Sequence, residues 1–345
     1  MDNIPPDNPV LAQVVRSGLA ESWHRGAVVV VGPDGSVLQG GPVLQGDAGL
    51  EGGAELQTGT VPMRAGAVDV PIFPRSSNKP MQAAAMLSCG LGLDGKLLAL
   101  AAASHSGEDF HVAGVREILA RVGLGEDALQ CPPALPMDVE AQHSLLRAGG
   151  GPARVYMNCS GKHAAMLAAC VAAGWPTASY TEPGHPLQVG IRRAVERLTG
   201  EPVAATGVDG CGAPLFAISL TGLARAFSAL VLADPVTPER RVADAMRAYP
   251  EWMSGTRRGE CTLMERAPGL LMKSGAEGVM AFALGEGRAA AFKIDDGDGA
   301  RRAVIPVAIA LLRVLGVTGM PAELASTPVL GGGKPVGEVR AQLPF

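Results

Sequence analysis

The sequence predicts a mixed α/β fold of the α+β type, with an antiparallel sheet built from both chain ends and a helical lobe between them. Three observations carry this. Apolar β-branched residues cluster early, in "GAVVVV" (26–31). Strand patterns return late, in "GVMAFALGEGRAAAFKID" (278–295) and "VGEVRAQL" (336–343). Between them, apolar residues recur at helical spacing. At 345 residues the chain is long enough to bury a full core.

Taken in order, residues 26–41 read as strand, turn, strand about "GPDG". Residues 42–69 are Gly-rich and weakly patterned, too long for an ordinary loop, and read as an insertion. Helices are expected over 80–91, 108–124, 162–175, 186–200, 214–230 and 238–250, several with Pro near one end. A hairpin about "GEG" follows, then a helix over 300–316 and a last strand. These elements make one unit over 1–345. Its sheet lobe takes about 10–75 and 270–345, and its helical lobe about 76–269.

Net charge is −4 with no basic run, so nucleic acid is not an expected partner. The start lacks the basic and apolar regions of a signal peptide, and no run approaches a membrane span. A cytoplasmic enzyme on a small molecule is the expectation. The six cysteines are scattered without a CxxC and are expected to be thiols. Only six of the 29 basic residues are lysines. Arg stays charged in proteins, whereas a desolvated Lys can lose its proton. The lysines kept in dense polar contexts, Lys79, Lys162 and Lys273, are therefore candidates for amine chemistry.

Five motifs carry that chemistry. "RSSNKPMQA" (75–83) places Ser76 three residues before Lys79, so a neutral amine can take a serine proton. The same phrase also reads as a helix start capped by Ser76 or Ser77. "AAASHSGEDF" (101–110) ends an apolar run with Ser104 and Glu108. "LLMKSGAEGVM" (270–280) buries Lys273, which needs a partner such as Ser104 or Glu108. "NCSGKHAAM" (158–166) and "DGCGAP" (209–214) each set a cysteine in a polar, Gly-rich context. Cys159 and Cys211 can share a soft metal such as zinc, with His163 as the nitrogen donor; the alternative is two buried thiols beside a capped helix.

"ESWHRGAVVVV", "RSSNKPMQA", "SHSGE", "NCSGKHAAML", "DGCGAP" and "KSGAEGV" occur in this order. Together they resemble the type II asparaginases of the rhizobial, thermolabile group, from about residue 15 onward. The resemblance implies a fold similar to serine β-lactamases and glutaminases, a homodimer, and hydrolysis of L-asparagine to L-aspartate and ammonia. It implies two Ser–Lys pairs, Ser76 with Lys79 and Ser104 with Lys273, and Asp209 as a further polar group of the site. It also implies Zn2+ held by Cys159, Cys211 and Lys162, in place of His163. Arg75, His163 and Glu108 are then left as candidate substrate contacts. A glutaminase, another serine amidohydrolase, a β-lactam-acylating enzyme, and a zinc-holding amino-acid-binding protein without catalysis are the rival functions. The long stretch 42–69 departs from the family pattern.

Overall fold

A computed structural model describes residues 7–40 and 61–345. The strands are β1 (Val10–Arg16), β2 (Leu19–Val31), β3 (Gln39–Gly40), β4 (Val61–Pro62), β5 (Arg64–Ala65), β6 (Ala205–Val208), β7 (Pro214–Ala217), β8 (Leu271–Ser274), β9 (Val279–Ala283), β10 (Ala289–Ile294), β11 (Ser326–Gly331) and β12 (Lys334–Ala341). The helices are α1 (Lys79–Ser88), α2 (Gly95–Ala101), α3 (Asp109–Ala120), α4 (Val139–Arg147), α5 (Ser160–Ala173), α6 (Pro186–Thr199), α7 (Leu220–Leu232), α8 (Pro238–Ala248), α9 (Pro250–Met253), α10 (Gly259–Arg266) and α11 (Val304–Val314).

One sheet dominates, in the order β11-β12-β1-β2-β10-β9-β8, with β5 added beside β2. Every pairing in it is antiparallel. Both chain ends build it, as expected, since β1 pairs with β12 through Ala12–Ala341 and its neighbours. In β2, Leu19–Arg25 is largely exposed, whereas Gly26–Val31 is buried at every position. Consecutive buried residues mean that both faces of this half are covered. Helix α7 packs on β2, β9 and β10, and α11 packs on β1, β9, β11 and β12.

The strand, turn, strand expected over 26–41 is present: β2 turns at "GPDG" and returns through the antiparallel Val31–Val37 bridge, with Gly32 N donating to the Ser36 carbonyl at 2.8 Å and Leu38 N to the Val30 carbonyl at 3.0 Å, before the short β3. A second hairpin, not anticipated, turns at Ser17 and Gly18, both at positive φ, and joins β1 to β2. This pair of left-handed residues matches the right-handed twist of the flanking strands. The helix expected over 214–230 is corrected. Its first residues are β7, paired with β6, and only Ser219, whose hydroxyl accepts from Gly222 N, caps α7. The expected insertion 42–69 lies outside the described residues as far as residue 60; 61–69 supply β4 and β5.

Candidate active site

Five segments converge where the sheet meets the helices. The first is a 3-10 turn, Arg75–Asn78, running directly into α1. Neither Ser76 nor Ser77 caps a helix, so the alternative reading of that phrase as a capped start does not hold. Arg75 adopts φ 51°, costly for a residue with a Cβ, and its guanidinium is fixed by Asp209 at 2.8 Å. Ser77 Oγ donates to the Lys273 carbonyl at 3.0 Å, which ties the turn to β8. The turn and the loop after β8 touch so closely that a Cβ on Gly275 would lie 2.4 Å from the Pro74 carbonyl.

Lys79 and Lys273 are both buried. Lys79 Nζ donates to the Ala103 carbonyl at 2.5 Å and lies 3.0 Å from Ser104 Oγ. Lys273 Nζ donates to the Ser274 carbonyl at 2.8 Å. The hydroxyl–amine hydrogen bond therefore joins Ser104 to Lys79, whereas the resemblance pairs Ser104 with Lys273. The Ser76 hydroxyl is half-buried and has no hydrogen bond among the described residues. Burial pushes the Lys273 amine well below the usual lysine range, and the Lys79 amine pushes it further.

Glu108, expected near Lys273, instead accepts from Thr256 N at 2.9 Å and Thr256 Oγ1 at 2.6 Å. It fastens the segment between α9 and α10 to the Ser104 loop. Ser104 N donates to the Met253 carbonyl at 3.0 Å and strengthens that attachment.

Cys159 precedes α5, and Lys162 and His163 occupy its first turn. Gly161 lets this turn lie against α2: a Cβ there would be 2.6 Å from the Leu100 carbonyl. The Cys159 and Cys211 sulphurs and an Asp209 carboxylate oxygen lie within 4.8 Å of one another. Lys162 Nζ sits 3.1 Å from Cys211 Sγ. The neighbouring Cys159 thiol and the charge of Lys162 hold Cys211 far below the usual thiol range, while the Cys159 thiol is pushed well up. Burial works against the Lys162 cation, but the two sulphurs outweigh it and hold its pKa above the ordinary lysine value. His163 is fully buried, and its Nδ1 lies 2.7 Å from the Tyr180 hydroxyl. Its Nε2 has no partner among the described residues.

Asp209 links the two halves of the site, binding Arg75 through one oxygen and lying 3.7 Å from Cys211 Sγ through the other. Sequence reasoning missed Ser77, Tyr180 and Glu260. Ser77 and Tyr180 act on main chain or ring nitrogens, which no motif announces; Glu260 is an acid inside an otherwise apolar helix face.

A family model described as L-asparaginase II matches residues 56–341. No curated protein matches the chain. Among solved structures it is similar to Mglu in its native form, at 16% identity and TM-score 0.43, over 92% of this chain and 71% of that one. It is also similar to a β-lactamase (Mb2281c) from Mycobacterium bovis, at 15% identity and TM-score 0.43, over 84% and 94% of the two chains. A putative β-lactamase from Bacteroides dorei DSM 17855 matches at 13% identity and TM-score 0.40, over 85% and 93%.

Proposed function

The chain belongs to the L-asparaginase II family, and on that premise we propose that it hydrolyses L-asparagine to L-aspartate and ammonia through an acyl-serine. Family membership makes it an amidohydrolase. The observation that supports a serine route is the buried Lys79 amine, 3.0 Å from Ser104 Oγ at the head of the helix that follows Ser76.

Ser76 Oγ attacks the side-chain amide carbon, and Lys79 takes its proton. The proton passes to the amide nitrogen, the C–N bond breaks, and ammonia leaves. Water then attacks the acyl-serine, gives a proton back through Lys79 to Ser76 Oγ, and releases aspartate. Ser104 holds the Lys79 amine in place and relays the proton. Lys273, whose cation is disfavoured by burial and by any charge on Lys79, is a second amine that can take the proton while Lys79 is neutral. The Arg75–Asp209 pair, held to Ser76 by the peptide bond of Arg75, presents opposite charges to the amino acid's ammonium and carboxylate.

The donor set Cys159, Cys211 and Asp209, with Lys162 beside Cys211, fits a soft cation. Zinc would be held by Cys159, Cys211 and Lys162, the lysine giving up its proton on binding. When bound, it would supply a fixed positive charge that anchors the substrate's polar end. The thiol-bearing loops and Asp209 orient that end toward Ser76.

One observation favours a second assignment within the same reaction: Ser104, not Ser76, carries the hydrogen bond to Lys79. Mass spectrometry of protein quenched during turnover of L-asparagine or L-glutamine tests both. A mass gain mapping to the Ser76 peptide supports the first assignment, and one on the Ser104 peptide supports the second. Ammonia release without any trapped adduct in slow variants of both serines would overturn the covalent route. Metal and asparagine binding with no ammonia would favour a binding protein. Sedimentation analysis tests the homodimer that the resemblance implies.

A further inference from the structure

We propose that Glu260, clasped by Arg258 and Arg301, is a positioning residue that fixes the Lys273 amine and its charge in the amide-hydrolysing site. The proposal deepens the Ser–Lys reading above and rests on it. Glu260 opens α10 yet is only 3% exposed. Its carboxylate accepts from Arg258 at 3.2 Å, from Arg301 at 3.1 Å, and from Ser274 Oγ. Arg301 Nη2 also lies 3.0 Å from Ser274 Oγ.

Donor counting fixes the arrangement. A guanidinium can only donate, so Ser274 Oγ accepts from Arg301 and sends its single hydrogen to Glu260. Ser274 is thereby pinned, and its carbonyl accepts from Lys273 Nζ at 2.8 Å. A buried carboxylate with two guanidiniums is an expensive way to hold a strand end, because each ion must be desolvated. Apolar packing would serve a purely structural purpose better. The cluster also sits at one end of a segment whose other end, Met253, accepts from Ser104 N. One stretch of chain thus registers the Ser104 loop against the Lys273 strand.

The cluster carries one positive charge in surplus. The charged groups that face Lys273 are Lys79 on α1, Arg258 and Glu260 at the start of α10, and Arg301 before α11. Burial and Lys79 favour the neutral amine, Glu260 opposes them, and the two arginines reinforce them. Glu260 is therefore the counterweight that keeps Lys273 able to accept a proton.

The test is a 13C-lysine NMR titration of the whole protein. With six lysines the spectrum is simple, and Lys273→Met assigns the resonance. Glu260→Gln is expected to move the Lys273 titration down by about 1 pH unit or more, and Arg301→Gln to move it up by a similar amount. The double variant is expected to return it toward the starting value. The acid limb of ammonia release should follow the same order, with kcat changing more than tenfold and KM within about threefold. Lys273 titrating alike in all the folded variants, or moving the same way in both single variants, would overturn the proposal. If Glu260→Gln fails to fold, Arg301→Gln decides alone: an upward shift supports it and no shift refutes it. Absence of ammonia release from the unaltered protein would sink the Ser–Lys reading, while the titration still judges the Glu260 coupling.

Discussion

Replacing Gly161 by Ala sets two opposed effects against each other. A glycine in a helix interior costs about 1 kcal/mol relative to alanine, and less in the first turn where Gly161 lies, so on propensity alone Gly161→Ala should stabilise by up to about 1 kcal/mol. The structure predicts the reverse. The new methyl would lie 2.6 Å from the Leu100 carbonyl, 2.7 Å from Leu100 Cγ and 2.9 Å from its Cδ1. Ordinary contact is about 3.5 Å or more, so α5 must retreat from α2 by several tenths of an ångström. Overpacking of this kind costs about 1–3 kcal/mol. The net expectation is a loss of up to about 2 kcal/mol. Gly190 in α6 is the control. Its added methyl meets only Cys89 Sγ, at 3.6 Å, an ordinary distance, so Gly190→Ala should gain up to about 1 kcal/mol. Urea unfolding of both variants reads the two signs. Because Gly161 lies between Cys159 and Lys162, its variant should also bind metal more weakly. A Gly161→Ala protein as stable as the Gly190→Ala protein, with unchanged metal affinity, would refute the close-approach argument.

Three further outcomes are expected. Lys79→Met should lower kcat by about 10²–10⁴-fold without unfolding the protein, measured as ammonia release with circular dichroism as the check; a loss under tenfold would remove Lys79 from the proton path. Burial pushes His111 down to about 4, so between pH 6.5 and about 4 the unfolded chain takes a proton that the folded one refuses. Stability should fall by about 3 kcal/mol as pH drops through that window and level off below it, and the difference between the parent and His111→Gln urea midpoints at pH 7 and pH 4 isolates this part. Cobalt added to metal-free protein should give a thiolate-to-metal absorption band that Cys211→Ser weakens and His163→Gln leaves in place; equal loss in both would make His163 a ligand.

Much of the architecture was legible because periodicity reports burial directly. The alanine-rich α5 and the amphipathic α3, α6 and α8 appear where their spacing put them. The errors have physical causes. β7 has four buried residues in a row, which periodicity cannot tell from a buried helix start. β1 went unread because its seven residues do not alternate cleanly between buried and exposed. At the site, the two cysteines do meet, while the pairing of Arg75 with Asp209 was not anticipated. The hydrogen-bond pairing of the serines and lysines was not legible. It depends on how deeply the loop after α2 sits over α1, which is a packing outcome.

The closure of the sheet by β1 and β12 bears on how the protein is made. As the nascent chain leaves the ribosome, β1 emerges well before β12 and must wait for that second partner, about 320 residues later. At ~5–20 residues per second this is roughly 15–60 s of synthesis. Meanwhile the β1–β2 hairpin, with Trp23 and Leu19 on its surface, offers an open strand edge to other chains. The helical segments can condense early, but β8, which carries Lys273, is an edge strand that pairs only with β9, the next strand in the chain, and β9 needs β10 to join the sheet. Catalytic competence therefore arrives only after β8, β9 and β10 have been made, and slowed synthesis of residues 271–341 should raise aggregation more than slowed synthesis of the helical segments before them.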